Sequence, residues 1–429
     1  MSTPATKPRA LIMALLMAVM VISVLDKTIF AFAGVQIIEE LQLTPEQFGF
    51  VGSAFFFLYS ISGIAVGFLA NRFPTRWILS VMALVWTSAQ LLVTVAGSLG
   101  ALTASRLLLG AGCGPGTAVT QHAAFKWYGI REQVLPASLI QVSIMLGGLL
   151  GALALPYAIS HFGWRSAYLA LAILSLGWAL LWLLFGAEGQ HQEEQGPAPQ
   201  EARIPYRHLL LNRTFVWISL MCFLAYLPNA LSFSWSAVYM QKGLGLSPMQ
   251  TGYVMFTATL GIIVLNLLVS ALSQRMLRRG LGEQRSLVLP PMLCCIFGGL
   301  AFCALGALHD ELWLKLTLFV SGAVLLNGVF AFGMTITSHI SPSIQRGAML
   351  AIHVGSMTFS GMLAPWLVGR LVTLFDHDIA RGFETALNGI GLATLVCALL
   401  GLWVITPHAT RQRLLELAPT PLADTARPV

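Results

Sequence analysis

Twelve stretches of the chain stay apolar over roughly the thickness of a bilayer, and they fall into two sets of six. The first set covers residues 10–38, 47–70, 77–98, 100–125, 133–159 and 165–186; the second covers 212–240, 249–273, 287–308, 312–338, 347–374 and 381–405. Of the 429 residues, 57% are hydrophobic and only 10% are charged, a balance that no soluble domain shows. In hydrocarbon only helices and closed barrels satisfy their own backbone polar groups, and apolar runs this long predict helices. The expected fold is an all-α membrane protein, twelve transmembrane helices in two pseudo-symmetric six-helix bundles. Between the sets lies Gln190-His191-Gln192-Glu193-Glu194-Gln195-Gly196-Pro197, which is linker composition. The expected domains are an N-terminal bundle over 1–187, a linker over 188–210 and a C-terminal bundle with a short tail over 211–429. The first run has no small-residue cleavage site before Asp26, so it reads as a retained helix.

The formal net charge of +7 is an orientation signal, not a nucleic-acid footprint. Lys7, Arg9, Arg72, Arg76, Lys126, Arg131, Arg203, Arg207, Arg275, Arg278, Arg279 and Arg346 all fall on the side of the termini and linker. The opposite side mixes Arg165, Lys242, Lys315, Arg370 and Arg381 with Glu39, Glu40, Glu46, Asp376, Asp378 and Glu384. By the positive-inside rule both termini and the linker are cytoplasmic, in a bacterial-type inner membrane. The six cysteines lie in apolar runs without metal or disulfide spacing and read as packing residues.

Charge inside a span is costly and faces a partner or a watery cavity. Ser23, Asp26, Lys27 and Phe30 share one helical face in the first run. Asp26 and Lys27 either lock helices together or serve transport. Arg106, about two turns into the fourth run, is a packing contact to carbonyls, an anion hook or a partner for Asp26. Past Pro228, Ser232, Trp235, Ser236 and Tyr239 form a stripe at i, i+3, i+4 and i+7, either pore-lining or an interface belt. Asn327 reads as cavity-lining or as interhelical glue. His353 reads as a packing histidine or a proton sensor. Asp26 is the sole carboxylate read as lying inside an apolar span. The other acids, Glu384 among them, are placed in loops, helix ends, linker or tail.

Two motifs carry a family resemblance. Gly67-Phe68-Leu69-Ala70-Asn71-Arg72-Phe73-Pro74-Thr75-Arg76, after the second span, resembles the loop signature of the major facilitator superfamily, with Asn71 and Pro74 departing from its usual Asp and Gly. It recurs after the eighth span as Ser270 to Arg279, with leucine, amide and both arginines in register, as duplicated transporter halves do. Arg106-Leu107-Leu108-Leu109-Gly110-Ala111-Gly112 matches the superfamily's Arg-x-x-x-Gly-x-Gly. Within the superfamily the chain most resembles the anion:cation symporters, through Asp26-Lys27, Trp127-Tyr128-Gly129-Ile130-Arg131-Glu132, Phe162-Gly163-Trp164-Arg165-Ser166-Ala167-Tyr168, Ser273 to Gly280, and Gly347, Gly361, Pro365 and Gly369. Cys113 stands where that family has a helix-4 acid, and His353 where it often has Asn.

The resemblance implies a monomeric secondary transporter working by alternating access, with no cofactor and no enzymatic activity. It implies a small organic anion and protons as partners, besides the bilayer and without nucleic acid. The expected activity is proton-coupled uptake of a carboxylate such as a sugar acid, dicarboxylate or aromatic acid. Asp26 and His353 are the candidates for proton coupling. Lys27, Arg106, Ser232, Trp235, Tyr239 and Asn327 are the candidates for substrate binding. Gly67, Asn71, Arg72, Arg76, Arg275 and Arg279 form the gating loops. One alternative is a proton-antiport exporter of organic anions or drugs, disfavoured because Gly147 to Pro156 lacks the Gly-Pro-x-x-Gly-Gly ending of such exporters. The other is a non-transporting sensor, disfavoured because linker and tail are too short for a soluble domain.

Overall fold

The computed structural model describes residues 9–69, 73–128, 132–189, 204–306, 311–342 and 344–416. Helices 1, 2 and 3 are Arg9–Leu41, Pro45–Leu69 and Thr75–Thr94. Helix 4 comes in two pieces, Leu99–Cys113 and Gly116–Phe125, because Pro115 cannot donate to the ladder. Helices 5 and 6 are Val134–Phe162 and Trp164–Phe185. Gly163, at φ 79°, makes the sharp corner between them, a conformation that glycine adopts without strain.

A short helix, Tyr206–Leu210, leads into helix 7, which is Arg213–Leu231 followed, after a break, by Trp235–Val238 and a π turn, Tyr239–Gly243. Helix 8 is Pro248–Arg278, opened by a capping box in which Ser247 and Gln250 bond each other's backbone. Helix 9 is a π turn, Gln284–Val288, continued as Leu289–Leu305. Helix 10 breaks at Gly328 into Leu312–Asn327 and Val329–Ile340. Helices 11 and 12 are Arg346–Leu374 and Ile379–Val404, and Pro407–Glu416 follows. Eleven of these helices are long and apolar enough to cross a membrane; broken helix 4 is the twelfth span. No strand occurs among the described residues.

Helices 1–6 form one bundle and helices 7–12 the other. Between them helix 2 lies along helix 11, and helix 5 along helix 8. Glycines set the closeness: a Cβ on Gly49 would stand 2.4 Å from the Pro365 carbonyl oxygen, and one on Gly369 would stand 2.5 Å from that of Pro45. Of the interrupted helices, 7 and 10 pack on each other in the second bundle, and 4 packs on helices 2 and 3 in the first. Irregular backbone at membrane depth is tolerated only where protein or a watery cavity surrounds it.

The linker does not leave the first bundle at once. Glu188 accepts hydrogen bonds from the Thr75 N–H (3.2 Å), the Thr75 hydroxyl (3.0 Å) and the Arg76 N–H (3.1 Å), and it pairs with Lys126. A carboxylate thus sits on the N-terminus of helix 3, where the helix dipole favours it, and ties that end to the end of helix 4. Burial raises the Glu188 pKa, but Lys126 and the two N–H donors outweigh burial and hold it below the usual carboxylate range.

Candidate substrate and coupling site

Asp26 and Lys27 leave helix 1 about 100° apart, as neighbouring helical residues must, and they do different things. Asp26 is fully buried and turns into the first bundle. The Gln90 amide of helix 3 donates to its Oδ1 at 2.6 Å, and the Ser175 hydroxyl of helix 6 donates to its Oδ2 at 3.4 Å. Among the described residues Asp26 makes no ion pair, neither with Lys27 nor with Arg106. Its carboxylate is held by neutral donors alone. Half-buried Lys27 points the other way, its Nζ 5.5 Å from the ring centre of Tyr59 on helix 2.

Arg106 is the second cation. Gly110, one turn on, lets helix 4 close on helix 2: a Cβ there would stand 2.1 Å from the Phe55 carbonyl oxygen. Gly112 does the same for helix 3, since its Cβ would meet Trp86 at 2.5 Å. The motif's glycines thereby bring the Arg106 guanidinium between two rings, 4.4 Å from the centre of Phe30 and 4.7 Å from that of Phe55. The side chain is 1% exposed, yet its Nε and Nη1 have no hydrogen-bond partner. Cys113 is also buried, and it accepts a 3.8 Å hydrogen bond from Ser23.

Aromatic residues carry this site across to the second bundle. Phe56 meets Tyr59 at 6.2 Å, Tyr226 at 6.1 Å and Phe233 at 6.4 Å between ring centres, and Tyr226 meets Phe330 of helix 10 at 6.0 Å. Asn327 lies at the break of helix 10, one residue before Gly328. Ser232 lies in the break of helix 7, where its hydroxyl donates to the Asn229 carbonyl oxygen at 2.6 Å.

The helix-7 stripe does not survive that break. Trp235 and Tyr239 stand beyond it, fully buried on the side away from the linker. Trp235 packs edge-on against Phe48, itself stacked on Phe30, and donates to the Pro365 carbonyl oxygen at 2.9 Å. Val238 presses on Gly34. Lys242 pairs with Glu39, and Arg370 with Glu46 at 3.5 Å. These contacts seal helices 1 and 2 to helices 7 and 11, and both described ion pairs between the bundles belong to that seal.

Tyr239 instead donates to Glu384 at 2.8 Å and stacks on Phe383. Glu384 pairs with Lys315 of helix 10 at 2.8 Å, both only 8% exposed. Asp26 is therefore not the sole buried carboxylate within a span. Glu384 lies in the second turn of helix 12, which Asp378 caps by accepting from the Arg381 N–H, and its pairing with Lys315 makes it a buried charge. Beside the pair opens a cavity of ≈ 880 Å³, lined among others by Leu312, Arg381, Thr385 and Asn388.

His353 is 1% exposed, its Nδ1 2.9 Å from the Ser219 hydroxyl and its Nε2 unpartnered against Gly333. It lies within the second bundle, packed by helices 7 and 10. Of the gating loops, Arg76 donates to the Leu183 carbonyl oxygen at 2.6 Å, and Arg275 and Arg279 are exposed at the end of helix 8. Gly67 is in the last turns of helix 2; Asn71 and Arg72 lie outside the described residues.

Two six-helix bundles that meet over buried cations, with discontinuous helices at their centre, are the architecture of a secondary transporter. The sequence pattern of the Major Facilitator Superfamily matches residues 16–326, and the chain belongs to that family. The family and the relatives below are transporters, not enzymes. The probable sulfoacetate transporter SauU of Cupriavidus necator is 30% identical over 202 residues, 47% of each chain, so the chain matches about half the length of that relative. The hexuronate transporter of Bacillus subtilis is 24% identical over 374 residues, 82% of this chain and 85% of that one. The fold is similar to that of a bacterial homolog of the human lysosomal transporter Spinster, inward-facing and unoccupied, with a TM-score of 0.77 at 17% identity over 97% of this chain and 100% of the other.

Sequence reasoning missed Gln90, Ser175, Phe55, Tyr59, Tyr226 and Phe330. Gln90 had a signal, a lone amide in an apolar run. The aromatics had none, because rings are equally common facing lipid.

Proposed function

We propose that the protein is a secondary transporter that takes an organic anion into the cell with protons by alternating access. The observation that carries this reading is Arg106. A guanidinium buried between two rings, with two unpartnered nitrogens and, among the described residues, no carboxylate in an ion pair with it, is costly. A carboxylate or sulfonate from the substrate supplies a charged acceptor for these nitrogens. Lys27 adds a second positive charge, and Ser232 and Asn327, at the breaks of helices 7 and 10, are proposed to add polar contacts. The probable sulfoacetate transporter and the hexuronate transporter among its relatives support an anionic substrate.

Asp26 is the proposed proton site. A carboxylate held only by an amide and a hydroxyl can take a proton without breaking an ion pair. It sits one residue from Lys27, so its charge is felt at the substrate. The linker and both termini are proposed to be cytoplasmic, from the arginine and lysine count. Trp235 then belongs to the outer seal, Tyr239 to the Lys315–Glu384 pair of the second bundle, and the arginines at 72, 76, 275 and 279 to the cytoplasmic gate.

The test compares Asp26→Asn and His353→Gln in liposomes. Asp26→Asn mimics the protonated state; it should exchange substrate across the membrane yet fail to accumulate it under an inward proton gradient, while His353→Gln accumulates normally. Accumulation that survives Asp26→Asn and is lost in His353→Gln moves the proton site to helix 11. Accumulation that survives both refutes a proton site at either residue.

A further inference from the structure

Several serine, threonine and glutamine side chains on helices 1, 2, 3 and 7 are committed to other groups, while the buried Tyr168 hydroxyl near Arg106 has no partner. Ser23 donates to Cys113, Thr28 to the Val24 carbonyl oxygen, Ser60 to Thr358, Ser232 to the Asn229 carbonyl oxygen, and Gln90 to Asp26. Phe55 and Tyr59 of helix 2 face the cations, and ring-to-ring contacts continue from Phe56 and Tyr59 to Tyr226 and Phe233 of helix 7 and on to Phe330 of helix 10. Tyr59, Tyr226, Phe233 and Phe330 are only partly buried although they stand well inside their spans. Each therefore keeps part of its ring surface uncovered by the protein.

From this arrangement we infer that the substrate is an aromatic ring bearing one carboxylate or sulfonate, not a polyhydroxylated sugar acid. The inference rests on the anion-transport reading above and narrows it. A sugar acid brings several hydroxyls into the site, and each one left without a partner costs desolvation free energy. An aryl anion asks for two things: cations for its oxyanion and ring faces for its body. Arg106 and Lys27 supply the first, and the rings from helices 2, 7 and 10 supply the second, in offset or edge contact. Ligand sites built this way are mostly apolar with a few placed polar groups. Hexuronate transport by a relative 24% identical to this chain concerns the charge that both substrates share, not the body that the rings contact.

The experiment measures equilibrium binding to the purified full-length protein in detergent. The probes are benzoate, benzenesulfonate, cyclohexanecarboxylate and D-galacturonate, and thermal unfolding confirms that each protein is folded. Benzoate and benzenesulfonate should bind about tenfold or more tightly than D-galacturonate, and benzoate about threefold or more tightly than cyclohexanecarboxylate, which has the same charge and size without a π face. Tyr226→Leu and Phe330→Leu should each shrink the benzoate-to-cyclohexanecarboxylate ratio towards one, with D-galacturonate unmoved. Tighter binding of D-galacturonate than of benzoate overturns the inference and leaves the anion reading standing. Equal affinity for benzoate and cyclohexanecarboxylate also overturns it, since the rings then act only as apolar surface. If folded protein binds none of the four, the anion reading itself fails.

Discussion

Lys315→Met and Glu384→Leu give a stability signature that only a coupled buried pair can produce. Both residues are 8% exposed, so solvent screens the pair little. Removing one partner of a buried pair costs about 3–5 kcal/mol. Lys315→Met falls near the lower end, about 3 kcal/mol, because Glu384 keeps the Tyr239 hydrogen bond. Glu384→Leu falls higher, about 4–5 kcal/mol, because it leaves a buried ammonium and also strips the Tyr239 hydroxyl of its acceptor. The double variant contains no buried charge and loses only the Tyr239 bond, about 1–2 kcal/mol. It should therefore be more stable than either single variant. Thermal unfolding in detergent, followed by a thiol-reactive dye that labels the buried cysteines Cys113, Cys222, Cys294 and Cys295 as they emerge, reads the order. Unfolding midpoints should rank wild type, double, Lys315→Met, Glu384→Leu. A double variant that falls by the sum of the two singles would show that the charges are not coupled and that the cavity beside them keeps both hydrated.

Glu188→Gln should cost about 1 kcal/mol after solvent screening. The folded-state pKa of Glu188 lies below its ordinary value, so its stabilisation is complete above the unfolded value, about 4.3, and is lost as the pH falls through the lower folded value. The gap in unfolding midpoint between wild type and Glu188→Gln should be constant from about pH 5 to 8 and close in stronger acid; a gap that widens on acidification would reverse the assignment. A single cysteine placed at position 195, with the native six removed, should resist an impermeant maleimide in intact cells, and rapid labelling there would invert the proposed orientation. Gly110→Val should abolish anion binding, since its side chain meets the backbone of helix 2 at Phe55; wild-type binding in that variant would mean that the helix contact does not position Arg106.

The spans were legible because hydropathy is set by composition, and their predicted limits agree with the observed helices to within a few residues except at breaks. Asp26, Lys27 and Arg106 were legible as charges where charge is costly. Their directions were not, because packing sets how a helix is rotated about its axis. The shared face of Ser23, Asp26, Lys27 and Phe30 splits into contacts with Cys113, with Gln90 and Ser175, with Tyr59 and with Arg106. The helix-7 stripe assumes unbroken helical spacing, but the helix stops at Leu231, three residues past Pro228, and restarts at Trp235. Trp235 consequently goes to the seal and Tyr239 to Glu384. Glu384 and Lys315 each lie within two turns of the end of a span, where charge is common, and only the tertiary pairing of helices 10 and 12 makes them a buried pair.

The central claim is that Arg106 and Lys27 hold the anion of the substrate. Binding of benzoate, sulfoacetate and D-galacturonate to wild type, Lys27→Ala and Arg106→Ala, each checked for folding by thermal unfolding, tests it most directly. Arg106→Ala should weaken the tightest of these anions by about 100-fold, the worth of one charge-assisted hydrogen-bonded contact in a buried site. Lys27→Ala, half-exposed to the same space, should weaken it by about tenfold. Wild-type affinity in both folded variants would make the two cations structural and contradict the account.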